Sequence, residues 1–301
     1  MIDPRSGART ILFGGSGFLG SSVLRQCPAM VSVGRTRPLL PNRHVPLRSF
    51  DDLSLLDALD FDAVVFLIGS SDRQSLERAV VPVGESNAFD FHLLPLLRTL
   101  EYLTRRPIRR FIAASTILLY DAGRLTLPVT EDAPLAPFKH RYALSKHLAE
   151  QACAFYGQSI PIVTLRLSNM YGPTHRAGYD LIHGLMQQLA STGTAQVMSR
   201  APRRDFIHVD DVAAAVRALL QVDASGVFNM GTGHMASVGT VVDLLQEITG
   251  CPIGSREEPV EPPLDFVCDI TRLQRAVDWA PAHTLESGLR DTFLRTKAFR
   301  H

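Results

Sequence analysis

The sequence predicts an α/β fold in which a Rossmann-type, doubly wound parallel sheet is joined by a smaller, partly interleaved C-terminal lobe. Short apolar runs alternate with amphipathic stretches of helical length over the first 173 residues. The runs show little period-two alternation, which is typical of strands covered on both faces. Parallel neighbours need crossover connections, and the intervening helices supply them.

Five apolar runs are interpreted as strands, and in order they read "RTILFGG", "MVSVGR", "AVVFLIG", "RRFIAAST" and "IPIVTLRLSNMYG". Helices are expected between them over residues 17–27, 85–106 and 139–157. After Pro173 the pattern loosens into helices near residues 178–191, 209–222 and 238–249, with a short strand "GVFNMG". We therefore expect one domain over residues 1–173 and a lobe over residues 174–301, with residues 205–232 returning to the first domain.

Composition favours a small-molecule partner. Lysine and arginine number 31 against 30 acidic residues, and no block of five like charges occurs, so neither a nucleic acid nor a membrane surface is expected as a partner. No apolar run reaches the roughly 18 residues of a membrane span, and the first ten residues lack a signal-peptide pattern, so we expect a cytoplasmic protein. The four cysteines are scattered without C-x-x-C spacing, so we expect reduced thiols and no metal site.

Three glycines open the first predicted helix. Gly14, Gly17 and Gly20 follow a strand with the spacing G-x-x-G-x-x-G. In that context the backbone can approach a pyrophosphate, which is bound by the free N–H groups and the dipole of the helix N-terminus. A tight turn with glycine used for packing alone is the alternative. The loop indicates a dinucleotide-binding site.

A tyrosine and a lysine share one face of the helix over residues 139–157. Tyr142 and Lys146 stand at i and i+4 in "RYALSK". A phenol has a pKa of about 10, and a neighbouring ammonium favours the phenolate, so the pair can act as an acid or base. Upstream, Ser115 and Thr116 end a predicted strand, where hydroxyls face the ligand crevice of a parallel sheet. A surface Tyr–Lys pair and strand-ending hydroxyls without catalytic use are the alternatives.

From about Arg9 to about Phe293 the chain resembles the extended short-chain dehydrogenase/reductases, particularly their nucleotide-sugar epimerase, dehydratase and ketoreductase branch. The resemblance rests on "GGSGFLG", "FLIG", Asn87, "AASTILLY", "YALSK", "RLSNMYGP", "RRDFIHVDDVA", "FNMGTG" and "DWAPAHTLESGLRDTF", which occur in the family's order. It implies that residues 1–173 bind the dinucleotide and that the C-terminal lobe binds the substrate. It also implies a homodimer formed by the helices over residues 85–106 and 139–157.

The resemblance assigns roles to individual residues. Thr116 takes the hydroxyl role, Tyr142 is the acid or base, and Lys146 binds the nicotinamide ribose. The residues implied in cofactor binding are Gly14, Gly17, Phe18, Leu19, Arg35, Leu67, Ile68, Gly69, Ser115, Tyr142 and Lys146. Asn169 and Arg204 match positions that contact the substrate diphosphate, although Arg203 is an alternative to Arg204. His208 is expected to pack and form hydrogen bonds.

Two departures from the family pattern narrow the function. Sugar 4,6-dehydratases place an acid pair after the catalytic threonine, whereas Ile117 and Leu118 stand here, so dehydration is disfavoured. Members that prefer NAD carry an acid at the end of the second strand, whereas Gly34 and Arg35 stand here. An arginine suits the 2′-phosphate of NADP(H), although Arg35 or Arg37 could instead stack on adenine or lie in solvent.

The sequence thus favours an NADP(H)-dependent 4-ketoreductase of a nucleotide-diphosphate sugar. A 4-epimerase with tightly bound NAD is the principal alternative. A reductase of a carbonyl substrate without a nucleotide and a non-catalytic dinucleotide-binding scaffold are the others.

Overall fold

The computed structural model describes residues 9–69, 88–174, 180–259 and 265–296. The strands are β1 (Thr10–Phe13), β2 (Val31–Gly34), β3 (His44–Pro46), β4 (Ala63–Phe66), β5 (Arg110–Thr116), β6 (Ile162–Leu167), β7 (Asn169–Tyr171), β8 (Ala195–Val197), β9 (Arg203–Arg204), β10 (Phe206–His208), β11 (Gly226–Met230), β12 (Ala236–Ser237) and β13 (Ile253–Ser255). The α-helices are α1 (Phe18–Gln26), α2 (Ala88–His92), α3 (Leu94–Leu103), α4 (Arg141–Tyr156), α5 (Leu181–Thr192), α6 (Val209–Leu219), α7 (Val238–Thr249), α8 (Thr271–Ala276) and α9 (Leu285–Arg295). Among the described helices, none has both the length and the apolar character needed to cross a bilayer.

A seven-stranded sheet forms the centre of the fold. Its strand order is β11-β6-β5-β4-β1-β2-β3, and every neighbouring pair is parallel. The order reverses between β1 and β4, and in such sheets the crevice at this reversal binds the ligand. The predicted Rossmann-type α/β fold is confirmed.

Apolar side chains cover both faces of the sheet. On one face Val23 and Leu24 of α1 belong to the same buried cluster as Val212 and Val216 of α6. On the other face the cluster includes Leu96 and Leu100 of α3 together with Ala152 of α4. A third cluster, drawn from α5, α7 and α9 with strands β8 and β13, forms the core of the C-terminal lobe.

The helix expected over residues 85–106 is two helices in its described part. Leu93 separates α2 from α3, and Pro95 stands in the first turn of α3. Proline lacks the N–H that a continuous helix would use and clashes with the preceding turn, so a new helix starts there. Residues 85–87, including Asn87, lie outside the described residues.

Three short strand pairs lie outside the seven-stranded sheet. β7 pairs in parallel with β10, so that Asn169 lies opposite Phe206. β9 pairs antiparallel with β12, which places Arg204 opposite Ala236. β8 and β13 form a parallel pair inside the lobe.

Candidate functional site

The glycine loop lies where β1 meets the start of α1. Gly14 has a φ of +88°, and a Cβ built on it would lie 2.8 Å from the carbonyl carbon of Leu67. A Cβ on Gly20 would lie 2.1 Å from the carbonyl oxygen of Gly14. Side chains at these positions would separate the loop from β4 and from the helix, so glycine is required by close backbone packing.

The start of α1 has the chemistry of an anion site. Gly17 is the N-cap, no side chain caps the helix, and no acid stands in its first turn. The first N–H groups of a helix have no partner within it, and the helix dipole favours negative charge there. Phe18 and Leu19 are the first two residues of this turn. The loop therefore fits the pyrophosphate of a dinucleotide.

A cavity of about 610 Å³ lies beside this loop. Ser16, Gly17 and Phe18 line it from the loop, and Thr36 and Arg37 line it from the segment after β2. Arg35 is exposed and is not among the lining residues. Of the two arginines weighed from the sequence, Arg37 is therefore the one that faces the cavity.

Leu67, Ile68 and Gly69 follow β4 and lie across the crevice from the glycine loop. The N–H of Leu67 donates to the carbonyl of Phe13 over 3.0 Å, which holds this segment against the end of β1. A Cβ on Gly69 would lie 3.4 Å from Nζ of Lys146, so this segment also borders the catalytic candidates.

Tyr142 and Lys146 lie on α4 with their side chains buried. Tyr142 is 9% exposed and Lys146 is 6% exposed. Nζ of Lys146 donates to the carbonyl of Ala114 over 3.0 Å, which anchors the lysine to the end of β5. Burial lowers the pKa of Lys146 to about 8, although the negative charge of Glu150 acts in the opposite direction.

Ser115 and Thr116 end β5 beside this helix. The hydroxyl oxygen of Thr116 accepts the N–H of Leu118 over 3.2 Å, so its hydrogen can be donated elsewhere. Ile117 and Leu118 then form a short 3₁₀ turn. Their side chains carry no group that transfers protons.

A buried ionic group behind Lys146 was missed by the sequence reasoning. Glu150 accepts Ser115 Oγ over 2.5 Å and two guanidinium nitrogens of Arg166 over 3.0 and 2.8 Å. Glu150 and Arg166 are each almost fully buried, and Arg166 also donates to the carbonyl of Glu131. The i, i+4 spacing of Lys146 and Glu150 is the signal that could have identified it.

Asn169 lies on β7 and Arg204 lies on β9, two short strands that belong to separate strand pairs. Asn169 Nδ2 donates to the carbonyl of Asp205 over 3.3 Å. Arg203 forms a two-point ion pair with Asp265 and is exposed, whereas Arg204 is partly buried. Burial lowers the pKa of Arg204, as expected for a guanidinium partly withdrawn from water. Arg204 is thus better placed than Arg203 for a diphosphate.

Asp205, also missed from the sequence, fixes this junction. Its fully buried carboxylate accepts Thr232 N and Oγ1, Gly233 N and Cys268 N over 2.7–3.2 Å. One side chain thereby holds the "GTG" turn and the segment before α8 against β10.

His208 caps α6. Its Nδ1 accepts the N–H of Asp210 over 3.3 Å, and burial together with His283 lowers its pKa to about 4. Ligand atoms of His208, His283 and Asp291 lie within 4.8 Å of one another, as in a metal-binding group. In the neutral ring, however, the cap leaves the hydrogen on Nε2 of His208, which opposes metal ligation through that nitrogen.

Three known proteins are similar to this chain over most of their length. UDP-glucose 4-epimerase of Azospirillum brasilense is 29% identical over 93% of this chain and 89% of the relative. dTDP-6-deoxy-L-talose 4-dehydrogenase (NAD(P)(+)) of Kitasatospora kifunensis is 26% identical over 94% of each chain. The structure of UDP-glucose 4-epimerase from Bifidobacterium longum, in complex with NAD+ and UDP, is 20% identical, covers 97% of this chain and 98% of that chain, and has a TM-score of 0.82.

The family model of the NAD dependent epimerase/dehydratase family matches residues 10–231, a range that contains the glycine loop, the Tyr142–Lys146 pair and Arg204. The chain belongs to the NAD dependent epimerase/dehydratase family.

Proposed function

We propose that this protein is a nicotinamide-dinucleotide-dependent oxidoreductase that reduces or oxidises C4 of the sugar in a nucleotide-diphosphate sugar. The observation that carries the proposal is the buried Tyr142–Lys146 pair, whose lysine is anchored to the carboxyl end of β5. Relatives named for UDP-glucose and for a dTDP-sugar support the substrate class. NAD+ in the Bifidobacterium longum structure supports the cofactor class.

The residues of the chain supply binding and proton transfer. The glycine loop with Phe18 and Leu19 would hold the pyrophosphate, and Leu67, Ile68, Gly69 and Ser115 would line the remainder of the cofactor site. A bound nicotinamide dinucleotide would supply or accept the hydride. Asn169 and Arg204 would bind the substrate diphosphate.

Three side chains would act together in the proton transfer, which Tyr142 itself would carry out. Tyr142 Oη gives a proton to the sugar oxygen during reduction and takes one during oxidation. Thr116 donates a hydrogen bond to the same oxygen and fixes its position. The ammonium of Lys146 stabilises the phenolate form of Tyr142.

Of the two candidate activities, 4-ketoreduction and 4-epimerisation, the residues of the cavity favour a 4-ketoreductase that uses NADPH. Arg37 faces the cavity beside the glycine loop, and neither Gly34 nor Arg35 offers the carboxylate that binds the ribose hydroxyls in NAD-preferring members. A reductase must release its oxidised cofactor at every turnover and bind a reduced one. In cells, the nicotinamide cofactor that is kept mainly reduced is NADPH. A 4-epimerase with retained NAD is the second candidate, favoured by the 29% identical epimerase relative.

We also propose a homodimer through α3 and α4. Leu94 is 49% exposed, Leu148 is 37% exposed and Phe155 is 68% exposed, so both helices present apolar side chains to solvent. A second copy would cover this surface.

The identity of the bound cofactor and the preference for NADPH or NADH distinguish the 4-ketoreductase from the 4-epimerase. The protein is purified and denatured, any released dinucleotide is identified by mass spectrometry, and the cofactor-free form is titrated with NADPH and NADH. The reductase predicts a preference for NADPH that Arg37→Ala removes, while binding of NADH is nearly unchanged. Arg35→Ala is the matched control and should retain most of the preference. Stoichiometric bound NAD without a preference for NADPH would establish the epimerase instead.

A further inference from the structure

A buried histidine beside the cofactor cavity has no role in the proposed chemistry. His183 lies in the first turn of α5 and is 4% exposed. Its ring meets the ring of Phe18 edge-on, with 5.2 Å between the centroids. Phe18 is the first residue of α1, where the pyrophosphate is expected to bind, and it lines the cavity. His183 therefore contacts this wall of the cavity through Phe18.

The same ring contacts a second part of the cavity wall. His183 Nε2 lies 2.6 Å from the carbonyl oxygen of Gly172. The next two residues, Pro173 and Thr174, line the cavity together with Phe18. A hydrogen bond from His183 to Gly172 therefore fixes where this segment stands relative to the start of α1.

The partners of the two ring nitrogens require the charged form of His183. A carbonyl oxygen can only accept a hydrogen bond, so Nε2 donates to Gly172. Nδ1 lies against Oδ2 of Asp180, and a carboxylate likewise can only accept. The other oxygen of Asp180 accepts the backbone N–H of His183 over 3.1 Å, which holds the carboxylate beside the ring. Both ring nitrogens therefore carry hydrogen, and the ring is an imidazolium.

Among the described residues, Asp180 is the charged group next to this ring. Burial opposes the positive charge, but the hydrogen bond and charge of Asp180, with the carbonyl of Gly172, raise the pKa of His183 above its ordinary value. The residues of α5 include no Asp, Glu, Lys or Arg. Beside Gly172 lies His208, which is paired with Asp291 and whose pKa of about 4 leaves it neutral near pH 7. The cations that line the cavity are Arg25, Arg37 and Arg295.

Loss of the proton from His183 would break one of its two ring contacts. The neutral ring has a single N–H, and a hydrogen bond to a charged acceptor is stronger than one to a neutral acceptor. The hydrogen therefore stays on Nδ1, toward Asp180. Nε2 then turns a lone pair toward the carbonyl oxygen of Gly172, and the two lone pairs repel each other. The neutral form thus keeps Asp180 and releases Gly172.

We infer that His183 is a positioning residue of the cofactor site, which as an imidazolium holds Phe18 and the Gly172–Thr174 segment in the arrangement that binds the dinucleotide. The inference rests on the proposed cofactor site. Dinucleotide affinity should be highest below the pKa of His183 and should fall as the pH rises through it, because the neutral form releases the segment. Linkage is reciprocal, so a bound dinucleotide should raise the pKa of His183.

Two substitutions imitate the two forms of the ring. Glutamine places an amide N–H near the position of Nε2, so His183→Gln keeps a donor toward Gly172 and cannot titrate. Asparagine places its amide near the position of Nδ1, so His183→Asn keeps a donor toward Asp180 alone. The first variant imitates the imidazolium, and the second imitates the neutral ring.

Calorimetric titrations with NADH and NADPH between about pH 6.5 and 9.5 test the inference. At the lowest pH, His183→Gln should bind like the wild type, and His183→Asn should bind about tenfold more weakly. As the pH rises, the wild type should approach His183→Asn. Lys146 titrates in all three proteins, so the effect of His183 is the difference between their profiles. His234→Gln, which replaces an exposed histidine, is the control and should follow the wild type at every pH.

Nitrogen-15 NMR of the wild-type protein keeps the inference testable if a variant fails to fold. The ring of His183 is identified by its nuclear Overhauser contacts with the ring of Phe18. Both of its nitrogens should carry hydrogen at pH 7, and added NADH should raise its pKa. A neutral ring at pH 7, or a pKa that NADH leaves unchanged, would overturn the inference.

The binding profiles separate this inference from the proposed function. If the wild type binds a dinucleotide with the same pH profile as His183→Gln, the cofactor site stands and the inference fails. The inference also fails if His183→Asn binds as tightly as the wild type at the lowest pH. If the wild type binds neither NADH nor NADPH, the proposed function fails and the inference fails with it.

Discussion

Replacing Lys146 by methionine should stabilise the protein at pH 7 while removing its activity. Methionine keeps the volume of the lysine stem but has no charge to bury. Burial lowers the pKa of Lys146 from 10.5 to about 8, and this difference corresponds to a cost of about 3 kcal/mol for the charged form. The variant also loses the hydrogen bond from Lys146 to the carbonyl of Ala114, which reduces this gain in stability by about 1–1.5 kcal/mol. The variant should therefore gain about 1–2 kcal/mol in unfolding free energy.

The sign of the effect depends on pH. Because the pKa of Lys146 is lower in the folded state, the folded lysine loses its proton between pH 8 and 10.5 while the unfolded one keeps it. The cost of burying the charged lysine is fully present below about pH 8 and is relieved as the pH rises. Between pH 8 and 10.5 the unfolding free energy of the wild type therefore rises by about 3 kcal/mol relative to that of the variant. By pH 10.5 the variant should be less stable than the wild type.

Urea unfolding at several pH values between 7 and 10.5 measures this difference. Lys139→Met is the control, because the side chain of Lys139 is 52% exposed and should show a flat profile. Parallel stability profiles for the wild type and Lys146→Met would refute the assignment of a buried, destabilising charge to Lys146.

Two further predictions concern chemistry and substrate binding. Tyr142→Phe should lower kcat by about 10² to 10⁴ with unchanged dinucleotide affinity, since only the proton-transferring hydroxyl is removed, and Thr116→Val should lower it less; a Tyr142→Phe variant with wild-type turnover would disprove the acid–base role. Arg204→Ala should weaken binding of a free nucleoside diphosphate by about 1.5–3 kcal/mol in calorimetry, whereas Arg203→Ala, which removes a residue paired with Asp265, should change it little. Equal losses for the two arginine variants would make Arg204 structural.

Local spacing was enough to predict the main parts of the fold and to nominate the site. The glycine loop and the Tyr142–Lys146 pair are each contained within a few consecutive residues, so their geometry follows from one loop or one helix. The break at Leu93 was missed because the apolar pattern continues across it, although Pro95 was a usable signal.

The remaining features depend on tertiary packing. Arg35 and Arg37 are chemically equivalent in the sequence, and only the path of the chain after β2 places one of them on the cavity. Asp205 likewise receives its donors from residues 232, 233 and 268, which only the folded lobe brings together.

The position of β11 affects how the chain can be divided and how it can fold during synthesis. β6 pairs with β5 on one side and with β11 on the other, and Phe228 and Met230 of β11 are buried in the main core. A fragment ending at Pro173 would expose the unpaired edge of β6, which is a template for aggregation. On the ribosome, the seven-stranded sheet can be completed only after residues 226–230 have emerged, by which time the strands and helices between β6 and β11 have also been made.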